Sequence, residues 1–134
     1  MAVTKAESLP LRAEDDVVPA RQAVRSWAVE LAFGLVDQTK LVTAASELAR
    51  NTVVYGGGGS MLLEALNDGL RRGLRLTFED RGPGIPDIAR AMQDGFTTGN
   101  GLGRGLGGAR RLVNEFEIAS APGEGTRITV TRWR

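Results

Sequence analysis

Four consecutive glycines, Gly56 to Gly59, cut this sequence into two differently patterned parts. A regular helix does not run through such a stretch, because glycine loses the most backbone freedom on ordering and offers no side chain to pack. Ahead of the run, Val18, Ala20, Ala23, Val24, Trp27, Ala28, Leu31 and Ala32 recur at helical spacing until Gly34. A second helix follows, with Leu41, Ala45, Leu48 and Thr52 along one face, and the glycines stop it. Asp16 and Asp37 stand where the N-caps of these helices are expected, and Pro19 falls in a first turn, where a missing N–H costs little. Leu9 to Ala13 reads as a short first strand.

Beyond the glycines the pattern changes. "SMLLEALNDGLRRGLRLTFED" reads as two strands joined by a turn around Asp68, Gly69 and Gly73. Met61 to Leu66 could form a helix by propensity alone, but the breakers on both sides favour the hairpin. A short helix from Pro86 to about Gln93, a glycine-rich loop, and a helix from about Leu106 to Asn114 come next. A strand pair, Phe116 to Ser120 and Thr126 to Trp133, is split by the turn signal "APGEG". This order predicts an α/β fold, a two-layer α/β sandwich with helices on one face of a mixed sheet. A length of 134 residues at 42% hydrophobic content supports one core, hence one domain over residues 1–134.

The composition restricts the chemistry. With no cysteine and no histidine, disulfides, thiol nucleophiles, the usual zinc sites and imidazole acid/base or phosphohistidine steps are excluded. Seventeen Lys+Arg against sixteen Asp+Glu give a net charge of +1 with no basic block, so no nucleic-acid footprint is expected. No segment approaches the roughly 18 apolar residues of a membrane span, and "MAVTKAESLPLRAEDD" lacks the apolar middle of a signal peptide. A cytoplasmic location with no membrane contact is the expectation. Carboxylates, amides, backbone groups and a hard cation remain as possible machinery.

Three segments carry candidate chemistry. Glu47 and Asn51 lie four apart on the second helix, on one face with Tyr55 and away from the apolar stripe; a solvated helix face is the alternative. "FEDRGPGIPD" sets a carboxylate, Asp80, at a strand end before alternating glycine and proline, where a turn-capping aspartate is the plainer reading. "GRGLGG" from Gly103 matches GxGxxG but follows the polar run "DGFTTGNGL" rather than a strand, so the dinucleotide reading fails. No GxxxxGK[ST] run exists, which excludes a P-loop. Glycines opening a helix at Leu106 still offer backbone N–H groups to a phosphate chain.

In that order, "SELARNTVVY", "EDRGPGIPD" and "GLGRGLGG" resemble the N box and the two glycine boxes of the GHKL ATPase/kinase superfamily, with its Bergerat ATP-binding fold. "VDQTKLVTAASELARN", "DRGPGIPDIARAMQDGFTT", "GLGRGLGGARRLVNEFEI" and the closing "RWR" narrow the resemblance to RsbT-type serine/threonine kinases of bacterial partner-switching and stressosome pathways, from about Ala20 to Arg134. The resemblance implies ATP and Mg²⁺ as cofactors and a STAS-domain antagonist as phosphorylation substrate. It further implies a second partner such as an RsbU-like phosphatase.

Residue by residue, it implies that Asp80 accepts from the adenine amine, that Gly82 and Gly84 belong to the same box, and that Gly84 lets the base lie against bare backbone. Thr126 would support the adenine contact directly or through water. Asn51 would bind Mg²⁺, Glu47 would act as general base, and Gly101, Gly103 and Gly105 would surround the triphosphate. Arg104 is a candidate for neutralising the transferring phosphoryl group, with a solvated loop arginine as its alternative. Trp27, Trp133 and Phe116 read as core or edge packing. The motifs are shared with anti-sigma factors of the RsbW/SpoIIAB type, which also sequester a sigma factor. A non-catalytic nucleotide-dependent binding module would not need Glu47.

Overall fold

A computed structural model describes residues 1–93 and 106–134. Strand β1 (Ala2–Leu11) leads through a 3-10 turn (Glu14–Asp16) into helices α1 (Val17–Glu30) and α2 (Leu35–Val54). Strands β2 (Gly59–Asn67) and β3 (Arg72–Asp80) follow, then the short helices α3 (Ile88–Ala91) and α4 (Leu106–Arg111), and strands β4 (Glu115–Ser120) and β5 (Thr126–Trp133). The five strands lie in the order β1-β2-β3-β5-β4. Among the described residues every pairing is antiparallel, so the two-layer sandwich stands but its sheet there is antiparallel rather than mixed.

Alternation along the strands sends Met61, Leu63, Leu74, Leu76, Phe78, Ile128 and Val130 to one face. There they meet Val24, Trp27 and Ala28 of α1 and Leu41, Ala45, Leu48 and Thr52 of α2, all buried. Small residues on α2, Ala44, Ala45 and Ala49, let it lie close to the sheet; truncating a fully buried neighbour such as Leu48 to Ala costs about 2–5 kcal/mol. The other sheet face carries Glu64, Arg75, Thr77 and Thr129, with Arg75 Nε 2.9 Å from Glu64 Oε1.

Several local expectations change. The first strand runs from Ala2 to Leu11, well ahead of Leu9–Ala13, because an edge strand held by β2 needs no burial pattern of its own: Ala2 to Ser8 are exposed. Asp16 makes no side-chain cap; its carboxylate accepts from the Arg12 N–H at 2.8 Å. Asp37 lies in the first turn of α2, whose N-cap is Gly34, and pairs with Arg132 Nη2 at 2.6 Å. Arg132 Nη1 also donates to Leu112 O at 2.9 Å, so one side chain of β5 ties α2 and the segment after α4 to the sheet. α1 ends at Glu30, before Gly34, with Ala32 at φ 62°. Gly73 is inside β3 rather than in the turn: the Trp133 ring occupies the place of its side chain. The helix from Leu106 ends at Arg111, short of Asn114.

Candidate functional site

The cavity at the end of the sheet is built from five places in the sequence. Asn51, Thr52 and Tyr55 come from the last turns of α2, Phe78 and Asp80 from β3, Gly84 and Ile85 from the loop after it, Leu106 from α4, and Thr126 and Ile128 from β5. Phe78, Ile85, Leu106 and Ile128 form an apolar wall; Asn51, Asp80 and Thr126 supply polar groups at its edge. This is the make-up of a small-molecule site, apolar area for a flat group with few polar groups to orient it.

Backbone geometry explains how Asp80 comes to lie there. Asp80 pairs with Thr126 across β3 and β5 and with Gly59 across β2 and β3. A side chain at Gly56 would run into the Asp80 carboxyl group, and one at Gly82 would come within 2.8 Å of Gly56 Cα. The glycine run that ends α2 is therefore also the bed for this carboxylate. Gly82 N donates to Asp80 Oδ1 at 2.9 Å. Burial pushes the Asp80 carboxyl above the ordinary carboxylate range, and the backbone N–H groups of Gly82 and Thr126 partly offset it.

The loop after β3 and the turn between β4 and β5 interlock. Gly84 takes φ +77°, and the place of its side chain is filled by Ala121 O. Gly125 also takes φ +77°, against Asp80 O. Gly123 N donates to Pro83 O at 2.8 Å. Glycine at 84 is thus demanded by its positive φ and by Ala121. Ser120 Oγ accepts from Ile85 N at 2.8 Å and lies 2.8 Å from Thr126 Oγ1.

Of the residues singled out from sequence, the cavity brings together Asn51, Asp80, Gly84 and Thr126, with Gly82 bonded to Asp80 behind them. Glu47 is half-buried on α2, one turn from Asn51 and outside the cavity lining. Gly101, Gly103, Gly105 and Arg104 lie outside the described residues. Ser120 and Gly56 were not anticipated. Ser120 could have been found by counting back across "APGEG", since the residues flanking a hairpin turn face each other.

The donor set suits a hard cation held mainly by phosphate oxygens. Asn51 lines the cavity and carries an amide oxygen of the kind such a cation takes, and Mg²⁺ commonly has only one or two protein ligands beside substrate phosphates and water. Among the described residues no helix is long and apolar enough to cross a membrane.

Residues 36–133 match the family model described as histidine kinase-, DNA gyrase B-, and HSP90-like ATPase. The chain is 51% identical over 120 residues to the serine/threonine-protein kinase RsbT of Bacillus subtilis, covering 90% of each chain. It is 30% identical over 119 residues to the anti-sigma F factor of a Thermoanaerobacter species, covering 85% of this chain and 82% of that one. In fold it is similar to a mycobacterial sensor histidine kinase, MprB, with a TM-score of 0.58 at 18% identity over 96% of this chain and 97% of the other.

Proposed function

The chain belongs to the histidine kinase-, DNA gyrase B- and HSP90-like ATPase family, beside the RsbT serine/threonine-protein kinase, and on that premise we propose that it transfers the terminal phosphoryl group of ATP to a serine or threonine of a STAS-domain antagonist. One observation carries the reading: Asn51, Asp80 and Thr126, from three separate elements, meet at one cavity with an apolar wall. Adenine lies against that wall and its amine donates to Asp80, with Thr126 beside it. Asn51 would hold Mg²⁺, which would supply neutralisation of the phosphate charge when bound. Glu47, one helical turn from Asn51, receives the hydroxyl proton as the antagonist's oxygen bonds to the terminal phosphorus and ADP leaves. Gly82 and Gly84 hold the Asp80 side of the site; Gly101, Gly103 and Gly105, outside the described residues, are assigned to the triphosphate by the family resemblance alone.

The phosphorylated antagonist then leaves, because about −1.5 to −2 charge now stands where a hydroxyl was packed beside Glu47 and the ADP phosphates. The freed kinase engages a second partner of the RsbU-like phosphatase type. The contact surface is the outer face of α1 with Arg21 and Arg25, where Val18 and Val29 are also exposed, together with the exposed side of α2 from Asp37. These exchanges take place in the cytoplasm. Direct sequestration of a sigma factor is the second reading, and the likeness to an anti-sigma F factor favours it. The higher identity to RsbT puts the kinase first.

The test is incubation with labelled ATP and candidate STAS proteins encoded near this chain. Label on a serine or threonine of one of them, lost with Asn51→Ala and on chelation of Mg²⁺, is the expected result. Absence of transfer to every candidate, with tight binding to a sigma factor instead, would move the assignment to the second reading.

A further inference from the structure

Ser120 ends β4 and faces Thr126 across the turn formed by residues 121–125. Three polar groups converge on its hydroxyl: Ile85 N at 2.8 Å, Gly125 O at 2.9 Å and Thr126 Oγ1 at 2.8 Å. A hydroxyl has one proton and two lone pairs. The Ile85 N–H takes one lone pair, and the Gly125 carbonyl, which cannot donate, takes the proton. The remaining lone pair is met by the Thr126 O–H. Thr126 therefore gives its proton to Ser120 and presents lone pairs to the cavity it lines with Asp80.

We propose that Ser120 is a positioning residue for base selection: its three hydrogen bonds fix Thr126 as an acceptor beside the acceptor Asp80, so that this end of the cavity reads an amino group. Two acceptors side by side match the exocyclic amine of a 6-amino purine. A 6-oxo purine sets its carbonyl oxygen against them, leaving an unpaired acceptor in a half-buried place. One intervening water does not change the outcome. It spends both protons on Asp80 and Thr126 and shows the base only lone pairs. Ser120 does this without touching the nucleotide. The same hydroxyl holds the Ile85 N–H, so the loop that carries Gly84 is fixed by the atom that sets the proton on Thr126.

The proposal rests on the reading of this cavity as a nucleotide site, and the experiment separates the two. ATP, inosine triphosphate and purine riboside triphosphate are titrated against the parent chain, Ser120→Ala and Ser120→Thr, with nucleotide-free melting recorded for each. For Ser120→Ala the preference for ATP over inosine triphosphate is expected to fall by about tenfold, the loss associated with one hydrogen bond. Purine riboside triphosphate, which lacks the amine, should lose less affinity than ATP, and Ser120→Thr should keep the parent's preference. Should Ser120→Ala not fold, Ser120→Cys, with a weak donor of similar shape, is expected to show the same fall. A variant that weakens all three nucleotides equally, or keeps the ATP preference, overturns the role of Ser120 while the nucleotide site stands. A parent chain that binds none of them overturns both.

Discussion

Asp80 is held under two opposed demands. Burial lifts its carboxyl above the ordinary range, so the folded chain holds that proton more tightly than the unfolded one. A raised carboxyl contributes stability that is fully present below its unfolded pKa and is lost as pH rises through the folded value. Above that value the ionised group therefore weakens the empty fold. Asp80→Asn is expected to raise the nucleotide-free melting temperature near neutral pH, with the gain vanishing as the buffer is taken below the carboxylate range. The same substitution should weaken ATP binding and relax discrimination against GTP, because an amide can donate where a carboxylate only accepts. Melting curves at several pH values and nucleotide titrations check both halves; a mutant less stable than the parent at neutral pH contradicts the first. Glu47 makes a different kind of contribution. Glu47→Ala should lower phosphotransfer by roughly 10²–10⁴ while leaving ATP affinity within a few-fold, since general-base catalysis supplies about that factor. Near-normal transfer by this mutant would end the assignment of Glu47.

Among the elements, the seam between the β3–α3 loop and the β4–β5 turn decides how firmly the site is held. Gly84→Ala and Gly125→Ala each place a methyl group against a carbonyl oxygen at positive φ, and each should cost well over about 1 kcal/mol of stability and reduce ATP affinity. Gly123→Ala is the control. It shares the positive φ, yet none of the described residues stands within 4 Å of the added methyl, so it should cost about 1 kcal/mol and spare ATP binding. Denaturant titration ranks the three, and equal losses would show that backbone strain rather than the seam matters. The elements themselves were largely legible. α2, the β2–β3 hairpin and the β4–β5 pair announce themselves through apolar period and turn residues, which are local signals. "DRGPG" was legible as a candidate segment from its carboxylate and glycines, and Asp80 and Gly84 do line the cavity. What escaped was settled at a distance. Asp37 looks like a cap until Arg132, 95 residues away, takes its carboxylate. Gly73 looks like a turn residue until Trp133 covers it. The turn "APGEG" sets Ser120 opposite Thr126, but its bond to Ile85, 35 residues away, has no local signal.

For the whole molecule, size limits how partners can be handled. A stable interface takes roughly 800 Å² from each side, and a chain of 134 residues has few separate areas of that extent. Antagonist and second partner are therefore expected to exclude each other. In a pull-down, the unphosphorylated antagonist should displace the second partner and the phosphorylated one should not; simultaneous capture of both would reject the switch. The strand order β1-β2-β3-β5-β4 bears on something else, the making of the protein. β5 follows β4 in the chain yet lies between β3 and β4, so β4 has no neighbour to join until β5 exists. A chain made only through β4 lacks Thr126 and Ile128 of the cavity lining and the strand that holds Ser120 in place. Such a nascent chain has no complete bed for a nucleotide. Stabilisation by a nucleotide is therefore expected only of a chain in which β5 is paired between β3 and β4.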